Sequence, residues 1–243
     1  MNIQDSVAFL TGANRGIGKA YVEALVQAGA RRIYAAARSL DSLNDVVAIA
    51  PDRIVAIALD VTQPEQVQAA AAPDVNLLIN NAGVLGAGGL FTDRSVETAQ
   101  WEMTTNYFGT LAMIRAFAPI LKQNGGGAIV NMLSIASVVN VPVFSSYSAS
   151  KAALYSLTQG ARAELAQQGT LVVGVFPGPV DTAMAEAVPL DKAAPIEVAK
   201  TVLEAIAQGV EEVYPDPVSQ NVFVNLKTPL KEAEKQFAGM LPQ

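Results

Sequence analysis

The sequence contains no cysteine and no histidine. Those two absences exclude more chemistry than any feature that is present. Disulfides, thiolate nucleophiles, structural zinc, Ser-His-Asp triads and zinc-dependent alcohol oxidation all need side chains this chain lacks, so no metal site is expected. Any catalysis must run on Ser, Tyr, Lys, Asp, Glu or Arg, or on a borrowed cofactor. Basic charge is scarce as well: 16 Lys and Arg stand against 22 Asp and Glu, a net charge of −6. An acidic chain gains nothing from counterion release on a phosphate backbone, so nucleic acid is not an expected partner. Acidic lipid surfaces and acidic carrier proteins are disfavoured for the same reason. Long hydrophobic runs are missing too. The longest uncharged stretch, Asn124–Ser150, is broken by Asn, Ser, Gly and Pro, which is wrong for a membrane span. Asp5 precedes the first arginine, Arg15, so the basic-then-apolar order of an export signal is absent and the cytoplasm is the expected location.

What is present is a core-forming composition: 51% of the 243 residues are hydrophobic and 16% are charged. Short runs rich in Val, Ile and Leu occur at Val7–Leu10, Arg32–Ala36, Ile54–Leu59, Leu77–Ile79, Ala128–Met132 and Leu171–Phe176. Segments with helical periodicity alternate with them, at Ile17–Gln27, Ser42–Ala48, Pro64–Ala71, Thr105–Lys122, Ser148–Ala166 and Glu197–Gln208. Strands that are apolar on both faces and separated by helices form a parallel sheet covered on both sides. The expected fold is therefore α/β, a single doubly wound parallel sheet of Rossmann type with helices on both faces. No linker or repeat interrupts the alternation, so residues 1–243 read as one dinucleotide-binding domain. Gly178–Pro195 breaks the rhythm with prolines and reads as a substrate lid at about 178–195. The tail reads as a short strand at Val213 and a helix-like run from Leu230.

The first strand runs into Thr11-Gly12-Ala13-Asn14-Arg15-Gly16-Ile17-Gly18 and then directly into a helix. Glycines at that spacing let the backbone turn tightly and approach a pyrophosphate, whose charge meets the helix N-terminus. The second strand should end on an acid if the cofactor's ribose carries a free 2′-hydroxyl. Here it ends Ala37-Arg38-Ser39, with no acid until Asp41. A guanidinium suits a 2′-phosphate, so NADP(H) is expected rather than NAD(H), with Arg15 as a second contributor.

Further along stand Asn80-Asn81-Ala82-Gly83, Ser134, Tyr147-Ser148-Ala149-Ser150-Lys151 and Pro177-Gly178-Pro179-Val180-Asp181-Thr182. In this order and spacing, over almost the whole chain, the set resembles the short-chain dehydrogenase/reductase family. The motifs also fall at carboxyl ends of expected strands, the edge where open parallel sheets bind ligands. Tyr147 and Lys151, four apart on a helix, share a face. A neighbouring ammonium favours a tyrosinate, and lowering a phenol by ~3 units takes ~4 kcal/mol.

The resemblance implies roles for these residues. Tyr147 is the general acid in ketone reduction and the base in alcohol oxidation, and Lys151 lowers its pKa and holds the nicotinamide ribose. Ser134 donates to the substrate oxygen, and Asn106 maintains a proton relay. For the cofactor, it implies contacts from Gly12, Asn14, Arg15, Gly16, Ile17, Gly18, Arg38 and Ser39. Asp60 and Val61 hold the adenine, Asn81, Ala82 and Gly83 the adenosine half, and Pro177, Gly178, Val180 and Thr182 the nicotinamide side.

Apolar walls at Val84–Phe91, Ile135–Phe144 and Met184–Leu190, with Leu85, Val139, Val141, Val143, Phe144, Met184, Val188 and Leu190, fit a small apolar carbonyl or alcohol. Glu186 is the main charge among them, and Trp101 reads as a packing residue. The expected activity is that of a carbonyl reductase or alcohol dehydrogenase. Helices 105–122 and 148–166 are the expected interface of a homodimer, with a tetramer an open possibility. Two readings compete: a non-catalytic dinucleotide sensor or scaffold on the same fold, and a 3-oxoacyl-type reductase. The intact Ser134, Tyr147 and Lys151 argue against the first, and the net acidity argues against the second.

Overall fold

The structure, a computed structural model describing residues 1–86, 89–92 and 95–225, gathers the apolar runs into one parallel sheet. In chain order its elements are β1 (Val7–Thr11), α1 (Gly16–Gln27), β2 (Arg32–Ala37), α2 (Asn44–Val47), β3 (Ile54–Ala58), α3 (Pro64–Ala70) and β4 (Leu77–Asn80). Then follow α4 (Ser95–Glu102), α5 (Thr110–Gln123), β5 (Ala128–Met132), α6 (Ser145–Leu165), β6 (Leu171–Val175), α7 (Pro195–Gln208), β7 (Glu212–Val213) and α8 (Pro217–Asn225). The strand order is β3-β2-β1-β4-β5-β6-β7.

Strand periodicity explains the two cores. In β1 every residue is buried, and successive side chains point to opposite faces. Ala8 and Leu10 join Tyr21, Leu25, Val198, Val202 and Ile206 beneath α1 and α7. Val7 and Phe9 join Val67, Met113, Phe117 and Leu121 on the opposite face. Chain order reverses between β1 and β4, where helices depart to opposite faces and leave a crevice at the strands' carboxyl ends.

All six expected strands are present with ends moved by one residue or none. Other boundaries differ. The helix expected over 105–122 begins earlier as a π-helical stretch, Met103–Gly109, and only then becomes α5. The helix expected from Ser148 starts at Ser145. α4 had no counterpart in the periodicity, because Ser-Val-Glu-Thr-Ala-Gln-Trp-Glu offers no apolar stripe. α8 was also missed, although Asp216 before Pro217 is a readable start signal. Asp216 Oδ1 accepts from the Ser219 N–H at 2.8 Å and caps that helix. The helix-like run from Leu230 lies outside the described residues. Segment 178–195 carries a one-turn helix at Ala183–Ala185 and a parallel bridge between Val180 and Ala193. Among the described residues no helix is long and apolar enough to cross a membrane.

Candidate active site

The loop after β1 is shaped by close backbone approach. Gly12 has φ +65, a left-handed conformation that glycine adopts without strain. Gly18 sits so near the Gly12 carbonyl that any Cβ there would collide with it. Asn81, just past β4, locks the turn: its Nδ2 donates to Thr11 O at 3.0 Å and Gly12 O at 3.1 Å. The Thr11 hydroxyl in turn accepts from the Asn81 and Ala82 N–H groups, each at 3.0 Å. No side chain caps α1 at Arg15, and no acid stands in its first turn. The helix's free N–H groups therefore face the crevice, the arrangement that receives a phosphate anion.

The crevice is a single cleft of about 1720 Å³. That exceeds the ~300–1,000 Å³ of a pocket for one drug-sized ligand and leaves room for an extended dinucleotide beside a second molecule. Its charged lining residues are Arg15, Arg38, Lys151, Asp60 and Asp181. Arg38 and Ser39 are exposed at the end of β2 and line this cleft. Asp60 Oδ1 accepts from the Thr62 N–H and hydroxyl at 2.9 and 2.7 Å, so this carboxylate shapes its own turn as well as the cleft. On the far side, Thr182 packs against the phosphate loop at Gly16. The Pro177 carbonyl accepts from Ile135 N at 3.1 Å, and Gly178 N donates to Asp216 Oδ2 at 2.8 Å.

At the centre, α6 presents Tyr147 to the cleft and buries Lys151 beneath it. The Lys151 ammonium donates to Met132 O at 2.7 Å and lies 5.7 Å from the Tyr147 ring centroid. Burial pushes this amine down to about 8. Ser134, first residue of the turn after β5, hydrogen-bonds the Tyr147 phenol. The sequence led to an expectation of a depressed phenol, and the structure corrects it for the protein alone. Burial pushes Tyr147 up to about 12; the Ser134 hydroxyl opposes this and the Glu102 carboxylate adds to it. The ammonium, facing the Met132 carbonyl, leaves the phenol's rise uncancelled.

The family model for short chain dehydrogenases matches residues 6–193. The chain belongs to the short-chain dehydrogenase/reductase family. A crystal structure of a short chain dehydrogenase from Burkholderia cenocepacia J2315 in complex with NADP is 44% identical, covers 100% of both chains and superposes with a TM-score of 0.92. One from Burkholderia phymatum in complex with NAD is 27% identical, covers 100% of this chain and 99% of its own, and has a TM-score of 0.85. An uncharacterized oxidoreductase of Staphylococcus aureus (strain MRSA252) is 32% identical over 230 residues, 89% of this chain and 99% of its own length. This chain is thus an oxidoreductase of the short-chain class with a nicotinamide-dinucleotide fold.

Within this short-chain dehydrogenase, all but one of the candidate catalytic and cofactor residues line the one cleft, from Gly12 to Thr182. The exception is Asn106, fully buried behind the lining. Its Oδ1 accepts from Val84 N at 2.8 Å, and its Nδ2 donates to Val84 O at 2.9 Å and Ser150 Oγ at 3.0 Å. It works as a clamp between the cleft wall and α6. Among the apolar walls, Leu85, Val141, Val143, Phe144, Met184, Val188 and Leu190 line the cleft. Val139 instead packs in a small buried cluster, and Phe91 is fully exposed. Glu186 lies outside the lining. Trp101 is a correction: 46% exposed, it lines the cleft rather than packing the core, because α4 ends at the crevice. Asp216 and Glu102 were not found from sequence, since only long-range packing brings them here.

Lys151 gives this arrangement a pH signature. Its folded-state pKa of about 8 lies below the 10.5 of an ordinary lysine. Between those values the unfolded chain binds more protons, so stability rises with pH. The unfolding free energy of the cofactor-free protein, measured against Lys151→Met, is expected to increase from pH 8 to pH 10; parallel curves would contradict the buried ammonium.

Proposed function

We propose that the chain is an NADPH-dependent carbonyl reductase, working in reverse as a secondary alcohol dehydrogenase, on a small apolar ketone, aldehyde or alcohol. The observation that carries this reading is the meeting of a phenol, a serine hydroxyl and a buried amine in the middle of a dinucleotide-sized cleft whose remaining wall is apolar. The dinucleotide, when bound, supplies or accepts the hydride.

The chain's own residues do the rest. Arg15, Arg38 and the start of α1 offer positive charge to phosphates at one end of the cleft. Ser134 can donate to the substrate oxygen, where negative charge builds as a carbonyl is reduced. Tyr147 then gives that oxygen its proton. A phenol at about 12 holds its proton through the neutral range, which suits an acid and not a base. To serve as a base near neutrality it needs about 7 kcal/mol of differential stabilisation, more than the ordinary phenol supposed from sequence. Lys151 supplies part of that by carrying a positive charge next to the phenol while holding the ribose, as its place in the family motif implies. Leu85, Trp101, Val143, Phe144 and Met184 would receive the body of the substrate and keep water out.

Support for NADPH comes from Arg38 and from the NADP complex of the Burkholderia cenocepacia relative, while the more distant relative holds NAD. Two experiments test the proposal. Tyr147→Phe is expected to lower kcat by about 10²–10⁴-fold with NADPH binding kept, as for a lost general acid; near-wild-type kcat refutes the assignment. Arg38→Asp is expected to lower kcat/KM for NADPH by about 10- to 100-fold and leave that for NADH little changed, the worth of charge-assisted hydrogen bonds. An unchanged preference would assign Arg38 to the solvated loop alone.

A further inference from the structure

Asp216 is a buried acidic side chain, 2% exposed, that the chemistry of the cleft leaves unused. It stands just before Pro217, the first residue of α8, where a helix cap is the ordinary role. Its bonds go further than that. Oδ1 accepts from Ser219 N at 2.8 Å, as a cap does, while Oδ2 reaches away from the helix to accept from Gly178 N at 2.8 Å, 38 residues distant in sequence. The Ser219 hydroxyl donates to Asp216 O at 2.8 Å and accepts from Asp216 N at 3.2 Å, so the start of α8 is closed without the second carboxyl oxygen.

The residue that this second oxygen holds lines the cleft. Pro177 and Pro179 have no N–H, so Gly178 supplies the one backbone donor between Phe176 and Val180, and Asp216 takes it. The start of α8 stands so near that a Cβ on Gly178 would meet Asp216 Oδ1 at 2.8 Å and Val218 Cβ at 3.0 Å. On its other side the turn is held at Pro177, whose carbonyl accepts from Ile135 N at 3.1 Å, next to Ser134. Aromatic packing fastens the same helix to the same turn. The ring of Phe176 stacks on Tyr214 at 5.1 Å between centroids, and Tyr214 stacks on Phe223 of α8 at 3.8 Å. Val222 of α8 packs with Val141, a cleft-lining residue, against Val139.

We propose that Asp216 is a positioning residue for the dinucleotide: by holding Gly178 N it fixes the Pro177–Gly178 turn as the wall for the nicotinamide half, and it leaves the adenosine half untouched. It rests on the reading of the cleft as an NADP(H) site with phosphates at the start of α1 and the reacting centre at Tyr147 and Ser134. The Ile135–Pro177 hydrogen bond sets this turn beside Ser134, at the reacting end. The other end is held by separate contacts, Asn81 on Thr11 and Gly12 and Asp60 on Thr62. Glycine has the most backbone freedom to lose, so a tether at Gly178 spares bound cofactor the cost of ordering the turn.

Asp216→Asn and Asp216→Ser both keep a residue type that caps helices, so α8 retains its start. Neither keeps both acceptors: serine is too short to reach Gly178, and asparagine has one oxygen where aspartate has two. Calorimetric titration of each folded variant compares NADPH with 2′-phospho-ADP-ribose, which lacks the nicotinamide ring. Both variants are expected to bind NADPH about 5- to 10-fold more weakly than wild type, the scale of one hydrogen bond, with the fragment's affinity unchanged. An equal loss for both ligands, or no loss for either, overturns the proposal and leaves Asp216 a helix cap. Failure of the underlying reading has a separate signature, a fragment that does not displace NADPH from the wild-type protein.

Discussion

An amine held out of water governs the site. Lys151 is 4% exposed, lies one helical turn past Tyr147 and keeps its ammonium on the Met132 carbonyl at 2.7 Å. Burial weakens that charge, yet an amine near 8 remains largely protonated at neutral pH. The same burial acts on Tyr147 in the other sense and holds the phenol's proton more tightly. Burial thus moves phenol and amine apart on the pH scale, to about 12 and about 8, each away from its charged form. In the protein alone the negative contribution comes from Glu102. A cationic nicotinamide ring would bring the opposite sign into the cleft.

The fold makes this pairing possible at a fixed place. β5 ends at Met132, whose carbonyl receives Lys151, and Ser134 follows two residues later. The register of β5 on β4 pairs Asn131 with Asn80, so Asn81 and the phosphate loop are set at the same height as Ser134. Asn80 Nδ2 donates to Asn131 Oδ1 at 2.9 Å, and Asn131 Nδ2 donates to Thr158 Oγ1 on α6 at 3.0 Å. A buried polar chain therefore runs from the sheet centre to the helix that carries Tyr147 and Lys151. Satisfied networks of this sort rigidify what they join. Asp216 ties the Pro177–Gly178 turn to α8 in the same way on the opposite rim.

The strands, the phosphate loop and the Ser134, Tyr147 and Lys151 set were legible in the sequence because each is local: a run of apolar residues, a glycine spacing, a four-residue helical offset. Resemblance to the family then assembled them. The remaining features depend on packing across distance. α4 has no apolar stripe, and it forms by docking on α6, which is why Glu102 and Trp101 were not assigned to the site. Val139 and Phe91 were placed in the cleft wall by composition alone, and the chain path takes one into a separate cluster and the other into solvent. The direction of the Tyr147 shift could not be read from a neighbouring lysine. Desolvation of the phenol sets that direction, an effect of burial and not of spacing.

The central claim is that Tyr147 is a phenol whose ionisation answers to charge brought into the cleft. Ultraviolet titration of tyrosinate, taken as wild type minus Tyr147→Phe, measures it without turnover, first on the protein alone and then saturated with NADPH or NADP⁺. The account predicts a phenol ionising above its ordinary range in the protein alone, near 12, and at clearly lower pH with NADP⁺ than with NADPH. One titration curve shared by all three states would contradict it.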